Sequence, residues 1–192
     1  MFRALWATLL AAGLLTCAWQ AADTRAQDKK EEKGKEIELD GMKSAIPGSW
    51  KQEKPDNRLR FLQFKLPKVK DDKEDGMLIV SKGIGGSPEA NIKRWKEQMI
   101  PPEGKALDDI CKVTDFKLAD VKCPYLDATG TYKDNPRPFD PSSKAVNRPG
   151  YRLLAIHYEG KDDVYQFKLY GPADTVANYK QGFEDWLKGL KK

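Results

Sequence analysis

The sequence predicts an α+β domain built on a sheet of about six to seven strands, and three observations carry that prediction. Short runs of alternating or continuous apolar residues recur along the chain, separated by turn residues. One of them, Met77-Leu78-Ile79-Val80, leads through a glycine loop into a capped amphipathic helix. The chain then closes on a second amphipathic stretch, in which Val176, Tyr179, Phe183, Trp186, Leu187 and Leu190 fall at helical spacing after Gly171-Pro172.

The N-terminus reads as a secretory signal over residues 1–26. Arg3 supplies the positive start, Ala4 to Leu15 the apolar segment, and Ala18, Ala22 and Ala26 small residues for cleavage. The uncharged run from Ala4 to Ala22 is also long enough to serve as an uncleaved membrane anchor. Leu14-Leu15-Thr16-Cys17 resembles a bacterial lipoprotein box. Threonine stands there in place of the usual small residue, so plain cleavage is preferred and Cys17 is kept as the lipidation candidate. Gln27 to Glu36 carries almost nothing apolar, and 27–44 is expected to be a charged flexible linker. One domain follows over 45–192, with room for a core.

Within it, Ser49 to Glu53 is a first short strand. Leu59 to Leu66 alternates, with Arg60, Leu62, Phe64 and Leu66 forming the more apolar face, and Pro67 ends it. After Met77–Val80, Ser87 is placed to cap a helix, Pro88 suits its first position, and Glu89 complements its dipole. Ile92, Trp95, Met99 and Ile100 then give it one apolar face up to Pro101-Pro102. Cys111 to Ala119 and Cys123 to Lys133 form a hairpin, with Pro124 marking an edge or bulge and Gly130 a close approach. Tyr151 to Glu159 and Val164 to Tyr170 form another, joined by Gly160-Lys161-Asp162-Asp163. Asp134 to Gly150, with its four prolines, is the longest stretch without predicted structure. Loops of that length are usually functional or mobile. Arg137, Phe139 and Arg148 in it are the candidate partner-binding residues, weighed against a plain mobile hairpin tip.

Several chemistries are excluded. The glycine loop before Pro88 lacks the Gly-Lys-Ser/Thr ending of a phosphate loop and the third glycine of a dinucleotide fingerprint. It reads as a strand-to-helix connection. The acids between Lys68 and Gly76 do not match a calcium loop, because Lys73 and Lys82 occupy ligand positions counted from Asp71. His157 is the only histidine and stands mid-strand, no nucleophile elbow is present, and the Asp pairs fall in lysine-rich turns. No catalytic residue, metal site or cofactor is expected, and the protein is read as not an enzyme. The net charge is +5, but the lysines alternate with acids instead of clustering into an arginine-rich, aromatic stripe, so nucleic acid is not expected as a partner. Cys111 and Cys123 in an exported protein suggest a disulfide. The predicted hairpin sets them well apart, so the reading leans to two buried thiols.

Trp50, Phe64-Lys65-Leu66-Pro67, Gly85-Gly86-Ser87, Asn91-Ile92-Lys93-Arg94-Trp95, Gly130-Thr131-Tyr132, Pro149-Gly150-Tyr151-Arg152-Leu153 and Gly171-Pro172-Ala173 occur in an order that resembles the PsbP-like fold family over roughly residues 45–190. That family includes the lumenal extrinsic protein of photosystem II and a Ran-binding nuclear import factor, and the chain looks most like its exported bacterial members of unknown function. The resemblance implies a central antiparallel sheet flanked by helices, an α/β/α sandwich, and non-enzymatic binding as the usual role. No metal-binding or Ran-binding residue of the family matches a position here.

The sequence thus leads to an exported, non-enzymatic binding or accessory protein, periplasmic or secreted, with a protein partner in the cell envelope. Membrane contact is expected only through an N-terminal lipid or an uncleaved anchor. The alternative is a small envelope ligand-binding protein or hydrolase with a pocket between the sheet and the 134–150 loop.

Overall fold

Strand pairing in the computed structural model, which describes residues 33–69, 71–135, 140 and 142–191, is antiparallel throughout. The elements are β1 (Lys33–Leu39), β2 (Met42–Pro47), β3 (Lys51–Glu53), β4 (Arg60–Leu66), β5 (Gly76–Lys82), α1 (Pro88–Lys96), β6 (Met99–Ile100), α2 (Leu107–Ile110), β7 (Cys111–Leu118), β8 (Val121–Asp134), β9 (Val146–Glu159), β10 (Val164–Pro172) and α3 (Ala173–Lys188). Eight strands make one sheet in the order β3-β4-β5-β10-β9-β8, with β8 flanked on its outer side by β7 along one part and β6 along another. β1 and β2 form a separate two-stranded sheet.

This hairpin corrects the expected linker. Residues 33–44 are strand and turn, and Ile37, Leu39, Met42 and Ile46 are buried in the main core. The reason is local. Asp40-Gly41 takes positive φ at both residues (52° and 69°), the two-residue turn whose twist suits a hairpin, and apolar residues alternate on either side of it. The strong charge of the preceding residues masks this signal in the sequence.

Alternation along the central strands gives the sheet two unlike faces. One face is apolar from edge to edge and is covered by α3 together with the β1–β2 hairpin. Trp186 of α3 lies edge-on to Trp50 (5.5 Å), Phe64 (6.4 Å) and Phe167 (6.0 Å). The hairpin is fastened around its turn. Lys43 N–H donates to the Lys191 carbonyl (2.8 Å), and the Asp40 carboxylate accepts from the Tyr158 hydroxyl (2.9 Å) and from the Lys161 (2.9 Å) and Asp162 (3.0 Å) amides in the β9–β10 turn.

The opposite face carries a second, smaller core, where Ile92, Trp95 and Met99 pack on Leu126, Ala128, Leu153 and Ala155 of β8 and β9. α1 begins as its sequence predicts, with the Ser87 hydroxyl accepting from Ala90 N–H (3.2 Å) and Pro88 at the first helical position. It is shorter than expected. Met99 and Ile100 leave the helix and pair as β6 with Tyr132 and Thr131, the part of β8 that β7 does not reach. Gly130 permits this approach, since a Cβ there would stand 2.8 Å from the Ile100 carbonyl oxygen.

Two further expectations shift. The β7–β8 turn is Ala119-Asp120, both at positive φ, one residue earlier than expected. The 134–150 loop is shorter than its prolines suggest, because Val146 to Gly150 belong to β9 and pair with the end of β8. Gly150, at φ 71°, absorbs the register shift beside Gly130. Cys111 and Cys123 are both free and buried, the first under α1 and the second under α3, on opposite faces of the same hairpin.

Candidate functional site

The α1-side face of the sheet is only half covered. α1 sits over β8 and β9 and reaches β10 through a single polar contact, in which Arg94 donates to the Gln166 side chain (3.2 Å) and Gln166 to Asn91 (2.9 Å). Beyond it, among the described residues, β10, β5, β4 and β3 carry no helix on this face, and their registers show why. One cross-strand row reads Leu126, Ala155, Lys168, Ile79, Gln63 and Glu53. It is apolar under α1 and turns polar where α1 ends. The α/β/α arrangement is therefore complete on one side of the sheet and partial on the other.

Lys168 stands at that boundary, half-buried in the middle of a central strand. Its ammonium donates to the Gln98 side-chain oxygen (2.8 Å) and the Tyr132 hydroxyl (3.3 Å), and lies over the rings of Tyr132 (5.6 Å) and Tyr170 (6.0 Å). Among the described residues no carboxylate pairs with it. Burial, with the charges of Arg94 and Arg60 adding to it, pushes its pKa down to about 7, against the weaker pull of Asp134. Burial likewise pushes Tyr170 up to about 12 and raises Tyr132 and Tyr151. The three tyrosines form one stack, Tyr132 parallel to Tyr151 at 6.3 Å and tilted against Tyr170 at 5.1 Å.

Of the residues singled out from the sequence, Arg148 joins this cluster. It faces Tyr132 across the β8–β9 pairing, donates to Glu74 (2.9 Å) and pairs with Asp134 (3.5 Å), while Glu74 also accepts from the Tyr151 hydroxyl. Arg148 thus ties the 67–76 loop to the end of β9. Arg137 and Phe139 lie outside the described residues, as does Cys17. His157 is buried beside Gln166 with neither ring nitrogen hydrogen-bonded, and burial lowers its pKa, which fits a neutral histidine in the core.

A second feature lies on the α3 side. A cleft of about 380 Å³ opens between β7 and α3, lined by Lys112, Lys117, Lys180 and Lys188 around Phe116 and Tyr125. At its base, Asp127 accepts two hydrogen bonds from Arg152 (2.8 and 2.7 Å) and one from Lys180 (2.8 Å), and Tyr125 donates to Glu184 (3.0 Å). This cleft is lined by β7, β8 and α3, whereas the expected pocket was placed between the sheet and the 134–150 loop.

The sequence reading passed over Lys168, Tyr132, Tyr170 and Gln98. A signal for Lys168 was present: in Val-Tyr-Gln-Phe-Lys-Leu-Tyr one face of a central strand is Gln166, Lys168 and Tyr170, which is polar where a fully covered sheet would be apolar.

No protein-family model matches the chain, and no curated protein matches it. Solved structures similar to it include the following two. The cyanobacterial PsbP (CyanoP) of Synechocystis sp. has a TM-score of 0.48 at 11% identity, covering 82% of this chain and 91% of its own. A protein of unknown function from Pseudomonas aeruginosa has a TM-score of 0.44 at 14% identity, covering 84% of this chain and 98% of its own. A PsbP structure is thus among the similar folds, as the scaffold motifs imply. At this level of likeness neither neighbour bears on what the chain does.

Proposed function

We propose that this is an exported, non-enzymatic accessory protein that binds a protein partner in the cell envelope through the uncovered half of its sheet. The observation that carries the reading is the sheet face itself: β10, β5, β4 and β3 present a surface that is polar apart from Ile79, with half-buried Lys168, Arg60 and Tyr170, and among the described residues no helix lies over it. Export rests on Arg3, the apolar segment that follows it and the small residues up to Ala26. Asp134 and Val146 pair where β8 hands over to β9, and Arg137 and Phe139, which fall between them in sequence, are kept with Arg148 as candidate partner-binding residues.

Crosslinking in native cells, followed by capture and mass spectrometry, tests this with three chains: wild type, Arg60→Glu, and a chain lacking 136–145. A stoichiometric envelope partner that is lost in both variants supports the reading. A partner retained by both places the interface elsewhere and overturns it.

The second reading, a small-ligand binding protein, draws on the lysine-lined cleft between β7 and α3. A ligand in that cleft would raise the melting temperature by mass action, and Lys188→Glu would remove the effect.

A further inference from the structure

We propose that the cluster around Lys168 is a binding site for a single carboxylate group. Among the described residues, four cations and three carboxylates meet around it. Arg60 is paired with Asp56, and Arg148 with Glu74 and Asp134. The other two cations have only neutral partners: Arg94 donates to Asn91 (2.6 Å) and Gln166 (3.2 Å), and Lys168 to Gln98 and Tyr132. A half-buried ammonium held only by an amide and a phenol is costly to keep charged, and the depressed titration of Lys168 follows from that.

With Lys168 protonated, one positive charge is in excess, and a bound carboxylate would match it and hold the proton in place. That favours a carboxylate over phosphate, which carries more charge near neutral pH. The tyrosine rings of 132 and 170 flank the ammonium, and Lys168 and Tyr170 themselves stay partly accessible. Strengthening of an ion pair by such surroundings is the physical gain the site offers. The inference goes beyond the partner reading, since a free carboxylate would occupy the site with no partner present.

The test is titration calorimetry on the full chain at pH 7 and low salt, with benzoate, inorganic phosphate and a hexaglutamate peptide as probes. Benzoate or hexaglutamate is expected to bind, with phosphate at least about tenfold weaker. Lys168→Met is expected to weaken the preferred carboxylate by at least about tenfold, and Lys105→Met, a lysine exposed in the loop before α2, to leave it unchanged. Lys168→Gln serves as a second variant should Lys168→Met not fold. Preference for benzoate identifies a free small carboxylate, and preference for the peptide an acidic side chain of a partner. The proposal fails if no carboxylate binds at about 10 mM, if Lys168→Met and Lys168→Gln bind as wild type does, or if phosphate is preferred. None of these outcomes depends on whether an envelope partner is captured.

Discussion

Two charged residues, placed on opposite faces of the sheet, respond to their surroundings in opposite ways. Burial pushes Asp127 up, but hydrogen bonds from Arg152 and Lys180, with their charges, outweigh burial and hold it below the ordinary carboxylate range. A carboxylate depressed in the folded chain contributes stability above its unfolded pKa, near 4, and that stability is lost as pH falls through the folded value. Asp127→Ala removes the shared anion and leaves two cations facing each other in a half-buried site. Urea unfolding at pH 7 should show a loss of about 3 kcal/mol, with much less difference from wild type at pH 3. Lys168 behaves in the reverse sense. The unfolded chain binds its proton up to about 10.5, the folded chain only to about 7, so stability should rise with pH across the interval from 7 to about 9. Lys168→Met should flatten that rise and be more stable than wild type at pH 7. A wild-type curve flat over this interval would show that the ammonium is better compensated than Arg60, Arg94 and Asp134 make it.

Among the elements, the β1–β2 hairpin is the clearest case of a structure hidden by composition. Apart from β6, the strands from β3 onward, the start of α1 and the whole of α3 were legible because their apolar periodicity is strong and their caps and turns are conventional. The hairpin was not, because exposed Lys35, Glu36 and Glu38 dominate its first strand and the buried residues show only as alternate positions. The end of α1 was misread for a different reason. Met99 and Ile100 continue the helical spacing, but tertiary pairing with β8 decides their conformation, and no local pattern reports that partner. The hairpin buries Ile37, Leu39, Met42 and Ile46, at about 1.5–3 kcal/mol for each large apolar side chain removed from water. A chain starting at residue 45 should therefore melt at least about 10 °C below one starting at residue 33, as followed by circular dichroism. Equal melting temperatures would mean that the hairpin contributes nothing to the core.

At the scale of the whole molecule, the two cores are separate clusters of side chains that share strands. Leu154 and Ile156 of β9 face α3, while Leu153 and Ala155 of the same strand face α1. Neither layer can be lost without exposing the other's supporting strands to water, so the layers should unfold together. The candidate site inherits its rigidity from this arrangement. Lys168 is fixed between Phe167 and Leu169, both fully buried on the α3 side, so the open face is held by packing on the covered one. That dependence explains why the site was hard to read from sequence: Lys168 is 70 positions from Gln98 and 36 from Tyr132, and the pairing of β10 with β9 and of β9 with β8 brings them together. Tryptophan reports on each layer, Trp50 and Trp186 in the α3 core and Trp95 in the α1 core. Fluorescence of a Trp95→Phe chain and of a chain with Trp50→Phe and Trp186→Phe should follow the same urea transition as far-ultraviolet circular dichroism of each variant. If Trp95 instead reports an earlier transition than the circular dichroism, the α1 layer opens independently. Lys168, held between Gln98 at the end of that layer and the sheet, would then belong to a site that forms and dissolves with the layer rather than to one built into the fold.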